Sequence, residues 1–132
     1  KIFLDKAAEI RTSFMFLAPL LGRLGKAVIP NPGGCRIGAR PIDRIIDGLS
    51  KMGASIKYNS GDGYFHAKAL SGLKGTSYRF IKNTHTGTET LILSAVLAKG
   101  RTVLEDAALE PEVDELINLL NQMGAKIKRE KK

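Results

Sequence analysis

Two kinds of hydrophobic spacing run along the chain. In one, apolar residues recur every three or four positions, the spacing of a helix with a single buried stripe. Ile42, Ile45, Ile46, Leu49 and Met52 form one such stripe, and Val113, Leu116, Ile117, Leu120 and Met123 form another. Residues 13–24 and 88–99 read as two further helices, each stopped by a glycine, Gly25 and Gly100. In the other spacing, apolar and polar residues alternate, as in a strand covered on one face. Phe65, Ala67 and Ala69 fall on one side of the run 64–70, and Tyr64, His66 and Lys68 on the other. Shorter strands are predicted at 26–29, 54–57, 76–81, 101–104 and 125–128, with turns at 59–63 and 72–75. The predicted order is helix, strand, helix, three strands, helix, strand, helix, strand, an α/β domain.

The pattern repeats. Met52-Gly53-Ala54-x-Ile56-Lys57 returns as Met123-Gly124-Ala125-x-Ile127-Lys128, 71 positions later. Each copy reads as a helix that ends at a glycine, where a left-handed residue closes the last turn. Each helix is preceded by a proline near its start, Pro41 and Pro111, where a missing N–H costs nothing. The upstream glycines, Gly25 and Gly100, are 75 positions apart. The first copy therefore holds four extra residues, and they fall between Pro30 and Pro41. The repeat units are expected at about 12–81 and 87–129. An insertion in one copy of a repeat is a natural place for a functional loop, because loops carry sites on a rigid scaffold.

Composition narrows the field. With 43% hydrophobic residues, the chain has the make-up of a globular domain. No apolar run approaches the roughly 18–20 residues needed to span a bilayer. The chain begins at Lys1 with no long apolar stretch and no small-residue cleavage site. It reads as an excerpt of a longer protein rather than a secreted one. The single cysteine forbids an internal disulfide and a multi-cysteine zinc site, and a reducing cytoplasm is the expected setting. A net charge of +8 favours anionic partners without choosing among them. Only 6% aromatic residues and no Trp leave little for stacking on nucleic-acid bases. Neither nucleic acid, nor a membrane, nor a metal ion is expected.

The inserted loop carries the candidate chemistry. Gly33 and Gly34 permit close backbone approach to an anion. Arg36 and Arg40 flank Cys35, and nearby cations raise a thiol's thiolate fraction. A thiol so placed serves as nucleophile or general acid. The same residues are equally compatible with a small buried thiol. Arg40-Pro41-Ile42-Asp43 opens a helix, whose free N–H groups and dipole attract anions. Asn83-Thr84-His85-Thr86-Gly87 opens the next one and reads either as an anion-binding turn or as a cluster of helix caps.

Together these residues resemble a known family. Pro32-Gly33-Gly34-Cys35-x-Ile37-Gly38-Ala39-Arg40-Pro41-x-Asp43 is similar to the active-site loop of the UDP-N-acetylglucosamine enolpyruvyl transferases, which are EPSP synthase-like proteins. The likeness continues in Arg11-Thr12-Ser13, Ala18-Pro19-Leu20-Leu21, Ala95-Val96-Leu97-Ala98-Lys99-Gly100 and Glu110-Pro111-Glu112. It implies a fold of inside-out α/β barrels built from βαβαββ units, of which this chain is part of one domain. It also implies transfer of the enolpyruvyl group of phosphoenolpyruvate to the 3-hydroxyl of UDP-N-acetylglucosamine, without a cofactor; the alternatives are a related enolpyruvyl transferase acting on shikimate 3-phosphate, a branch that lacks the loop cysteine, and a non-catalytic repeat domain that binds anions or nucleic acid. Cys35 resembles the loop cysteine that acts as general acid and is alkylated by fosfomycin. Arg11 and Arg40 resemble anion-binding arginines, and Pro41, Ile42, Asp43 and Arg44 the stretch that contacts uridine. Arg44 stands where an apolar residue is usual. Asn83, His85, Thr86 and Gly87 resemble the diphosphate-binding turn; Asn83 stands where many members have Lys, and Lys82 is one place early. A Lys-Asn pair and an acidic base of the family have no counterpart here. The resemblance thus implies a second barrel domain as partner and no turnover by this chain alone.

Overall fold

The computed structural model describes residues 4–32 and 42–130. Cys35, Arg40 and Pro41 lie outside the described residues, as does Arg36. Five helices and five strands follow in order: α1 (Leu4–Ala7), α2 (Leu17–Leu24), β1 (Lys26–Pro30), α3 (Asp43–Lys51), β2 (Ser55–Asn59), β3 (Tyr64–Lys68), β4 (Ser77–Arg79), α4 (His85–Ala95), β5 (Val103–Glu105) and α5 (Pro111–Gln122). A 3-10 helix, Arg11–Phe16, leads into α2. The helix expected over 13–24 is therefore two pieces. Pro19 is tolerated because it is the third residue of α2, where no intrahelical N–H is required.

The strands form two sheets. β1, β3 and β2 make an antiparallel sheet in that order, and β4 pairs with β5 in parallel. The alternation read between 64 and 70 holds: Phe65, Ala67 and Ala69 are buried while Lys68 is exposed. The register puts Ile29 opposite Phe65 and Ala27 opposite Ala67, so the apolar faces of both strands coincide. A slip of one residue would turn that whole set to water. Tyr64 departs from the pattern and is buried despite its polar-side position.

Helices α2 and α3 pack against the three-stranded sheet. The larger core gathers Phe14, Leu17 and Leu21, Ile29, Leu49 and Met52, Phe65, Tyr78, Phe80 and Leu91. A smaller one gathers Ile92, Ala108, Val113, Ile117 and Leu120. Neighbouring residues of α4, Leu91 and Ile92, enter different cores, so α4 is shared between the two halves. It packs on α2, α3 and α5. A methyl at Gly48 would lie 2.5 Å from a Leu91 methyl, which sets how closely α3 and α4 approach. Because α4 is buried on most sides, its hydroxyls must find partners within the protein. Thr90 and Ser94 donate to the carbonyls one turn back, at 2.7 and 2.8 Å. Thr88 Oγ1 accepts from the Ala108 amide at 3.0 Å.

The repeat is visible in the backbone. Gly53 and Gly124 have φ of 94° and 102°. The Ala54 and Ala125 amides each donate back to the carbonyl five residues earlier, Leu49 and Leu120, at 3.0 Å. Gly53 donates to Ser50 and Gly124 to Asn121, also at 3.0 Å. This pair of bonds is the Schellman closure, and it needs a left-handed residue. The copies then diverge. Ile56 enters the sheet opposite Ala67. Its counterpart Ile127 does not: the strand expected at 125–128 is absent among the described residues. The Asn121 side chain takes both of its backbone groups, accepting from the amide at 2.8 Å and donating to the carbonyl at 3.0 Å. The matching position in the first copy is Ser50, which bonds back to Ile46 of its own helix and leaves the next strand free to pair.

Two helix bounds also differ from expectation. α4 begins at His85, not 88, because Thr84 rather than Gly87 is the cap. It ends at Ala95, not 99, because Lys99 is drawn into backbone bonds with Leu73 and Gly75.

Candidate functional site

A depression of about 330 Å³ opens where the 3-10 helix, the start of α3 and the start of α4 converge. Phe14, Met15 and Ile45 supply its apolar wall, and Arg11, Ile42, Arg44, Lys82, Asn83, Thr84, His85 and Thr86 complete it. Six of the residues singled out from the sequence therefore meet here although they are far apart in the chain: Arg11, Ile42, Arg44, Asn83, His85 and Thr86. Asp43 is exposed in the first turn of α3 and Gly87 is buried; neither lines the depression. A second, more open hollow on the sheet is lined by Lys57, Tyr58, Asn59, Ser60 and His66 and holds none of them. His66 is there paired with Asp62 at 2.8 Å.

Each wall has a local cause. Thr84 is extended (φ −148°) and its Oγ1 accepts from the Gly87 amide at 3.2 Å. This cap turns the chain so that 82–86 face the depression. Gly87 is required sterically: a Cβ there would lie 2.5 Å from Thr84 Cγ2. Its amide serves the cap, so its part in the turn is to let Thr84 close on it. The α3 wall is tied to β4 by Tyr78, whose Oη donates to the Arg44 carbonyl at 3.3 Å. Burial raises the Tyr78 pKa, with the nearby Asp47 carboxylate adding to the effect and Arg44 opposing it.

The chemistry of the depression is cationic. Arg11, Arg44 and Lys82 line it together with the first turn of α4, and no acidic residue is among its lining residues. Helix N–H groups, guanidinium groups and an ammonium converging on one hollow favour a phosphate or diphosphate. Lys82 and Asn83 both stand on its rim, exposed. Sequence reasoning did not single out Glu89. It lies one turn along α4 from His85, and its Oε1 is 3.1 Å from His85 Nε2. The i, i+4 spacing of His85 and Glu89 was the available signal. Among the described residues no His, Cys, Asp and Glu cluster is arranged to hold a metal ion, and no helix is long and apolar enough to cross a membrane.

The fold is that of enolpyruvyl transferases, and the chain belongs to the EPSP synthase family (3-phosphoshikimate 1-carboxyvinyltransferase), which matches residues 4–132. Within that family it is similar to UDP-N-acetylglucosamine 1-carboxyvinyltransferases. It is 51% identical over 123 residues to that of Bartonella henselae, covering 93% of this chain and 28% of the relative. It is 50% identical over 118 residues to that of Coxiella burnetii, covering 89% and 27%. The chain thus spans less than a third of the length of the curated relatives it matches. Among solved structures, the enolpyruvyl transferase NikO from Streptomyces tendae superposes with a TM-score of 0.77 at 22% identity, covering 98% of this chain and 30% of that one. An EPSP synthase from Acinetobacter baumannii superposes with a TM-score of 0.67 at 25% identity, covering 90% and 26%. These likenesses bear out the expected fold.

Proposed function

We propose that the chain is the loop-bearing part of a bacterial, cytoplasmic UDP-N-acetylglucosamine enolpyruvyl transferase, which moves the enolpyruvyl group of phosphoenolpyruvate to the sugar 3-hydroxyl and releases phosphate for peptidoglycan synthesis. The observation that carries this reading is the convergence of Arg11, Ile42, Arg44, Asn83, His85 and Thr86 on one cationic depression. In this reading the first turn of α4 and the cations receive the diphosphate. Ile42, with Pro41 and Asp43 beside it in sequence, meets the uridine. Arg11 and Arg40 hold phosphoenolpyruvate. Cys35 gives a proton to the methylene carbon of phosphoenolpyruvate as the sugar oxygen, its hydroxyl proton taken by a base, attacks the neighbouring carbon; the methyl group so formed then gives up a proton as phosphate leaves and the double bond re-forms. A second barrel domain closes the cleft, and the remaining base belongs to parts of the relatives that this chain does not span.

The test is a chimera in which this chain replaces the matching segment of the Bartonella henselae relative. It should release phosphate from phosphoenolpyruvate when UDP-N-acetylglucosamine is supplied and not when shikimate 3-phosphate is. Cys35→Ser should abolish release, and fosfomycin should add to Cys35 by mass spectrometry. The isolated chain should release none. A folded chimera that turns over shikimate 3-phosphate, or neither acceptor, overturns the reading.

A further inference from the structure

At the end of the fold away from the depression, three separate segments meet with charge of one sign. α4 starts on the depression at His85 and runs 11 residues to Ala95, which carries the chain about 16 Å. α2, entered from the 3-10 helix that lines the depression, ends at Leu24. The chain at these two helix ends, 23–26 and 97–101, is joined there by 68–75. The Ala69 amide donates to the Gly25 carbonyl at 2.7 Å, the Lys99 amide to the Leu73 carbonyl at 2.9 Å, and the Gly75 amide to the Lys99 carbonyl at 2.7 Å. The three segments hold six cations, Arg23, Lys26, Lys68, Lys74, Lys99 and Arg101, and no Asp or Glu. All six are exposed, and none forms an ion pair among the described residues. Lys26 stands directly opposite Lys68 in the sheet, and Lys74 opposite Lys99 in an isolated bridge. Like charges so placed repel one another, and an anionic surface relieves that repulsion.

Exposed leucines stand among these charges. Leu24 is 65% exposed and Leu70 82%. Leu97, 46% exposed, lies against the end of α2, where a Cβ on Gly22 would be 3.2 Å from its Cδ1. Leu70 follows the residue that bonds Gly25, and a Cβ on Gly25 would be 3.9 Å from its Cα. Leucines among Lys and Arg fit a lipid interface: the leucines enter the acyl boundary, and the long basic side chains reach the headgroup phosphates. A nucleic acid would use the cations and leave the leucines in water. The three segments also hold no aromatic residue on which a base could stack.

We propose that this end of the fold is a peripheral docking surface for an anionic lipid bilayer, with the depression on the far side from it. Such docking requires no membrane-spanning helix, and it departs from the expectation that the chain has no membrane partner. It does not depend on which ligand the depression takes.

The experiment co-sediments the chain with vesicles of phosphatidylglycerol and phosphatidylcholine in equal parts, and with vesicles of phosphatidylcholine alone. Both are repeated with the chimera described above, so that the rest of an enzyme is in place. Binding to the phosphatidylglycerol vesicles only, weakening as salt rises, is expected of both proteins. Lys74→Gln with Lys99→Gln should weaken it about 25-fold, about five-fold for each charge held near an anionic surface. Leu70→Ser should weaken it about ten-fold. Lys74, Lys99 and Leu70 are exposed, so these variants should keep the circular dichroism of the unaltered chain. The charge-matched control in the depression, Arg44→Gln with Lys82→Gln, lies more than a Debye length away and should change binding less than about two-fold. Equal binding to both kinds of vesicle, or to neither, overturns the proposal, as does a control pair that loses as much as the Lys74 and Lys99 pair. A Leu70→Ser chain that binds vesicles as the unaltered one does, while both bind a duplex DNA oligonucleotide, reassigns the cations to nucleic acid and overturns it. Binding by the chain but not by the chimera shows that the rest of the enzyme covers this end, and also overturns it.

Discussion

Thr88 offers the sharpest test of how the two halves are joined. Its side chain is fully buried, and its Oγ1 accepts from the Ala108 amide, itself buried, at 3.0 Å. Thr88→Val keeps the shape and removes the acceptor, so the cost is that of a buried N–H with no partner, about 1–3 kcal/mol. An unfolding entropy of about 2.1 cal/mol/K per residue gives about 0.28 kcal/mol/K for a chain of 132 residues. The expected drop in Tm is then roughly 4–11 °C. Thr88→Ser keeps the acceptor and loses one methyl, worth about 1 kcal/mol, so roughly 4 °C. The two are measured together by thermal and urea unfolding. Amide hydrogen exchange locates the effect: the Ala108 amide should exchange faster in Thr88→Val and keep most of its protection in Thr88→Ser. A Thr88→Val protein as stable as the unaltered one, with Ala108 still protected, refutes the claim that this bond tethers α4 to the second half.

Two further outcomes follow from the same geometry. Gly53→Ala and Gly124→Ala should each lower stability by about 1–2 kcal/mol in urea unfolding, since both glycines hold φ near 100° with open space beside them; a cost at one position only would break the equivalence of the two closures. Tyr78 has a raised pKa from burial and Asp47, so its contribution to stability is complete below the ordinary tyrosine value of about 10 and is lost as pH rises through the folded value. The urea midpoint should fall above pH 10, and Tyr78→Phe should flatten that fall; an unchanged alkaline profile counts against it.

The sequence alone determined the local and the repeated features. Glycine after a helix, alternation along a strand and proline at a helix start are properties of a few adjacent residues, and local sterics decide them. That is why the Gly53 and Gly124 closures, the burial of Phe65, Ala67 and Ala69, and Pro111 at the first position of α5 were all legible. The motif residues of the site were legible as types, through hydroxyls and a glycine at one helix start and arginines near two others. Tertiary structure decided what depends on a distant partner. Whether 125–128 becomes a strand turned on Asn121 capturing Ile127, where Ser50 in the first copy does not. Where α4 stops was set by Leu73 and Gly75 bonding Lys99. The convergence of Arg11, Arg44 and His85 on one hollow, with Glu89 behind it, exists only once three elements pack, because no local rule relates residues so far apart in the chain.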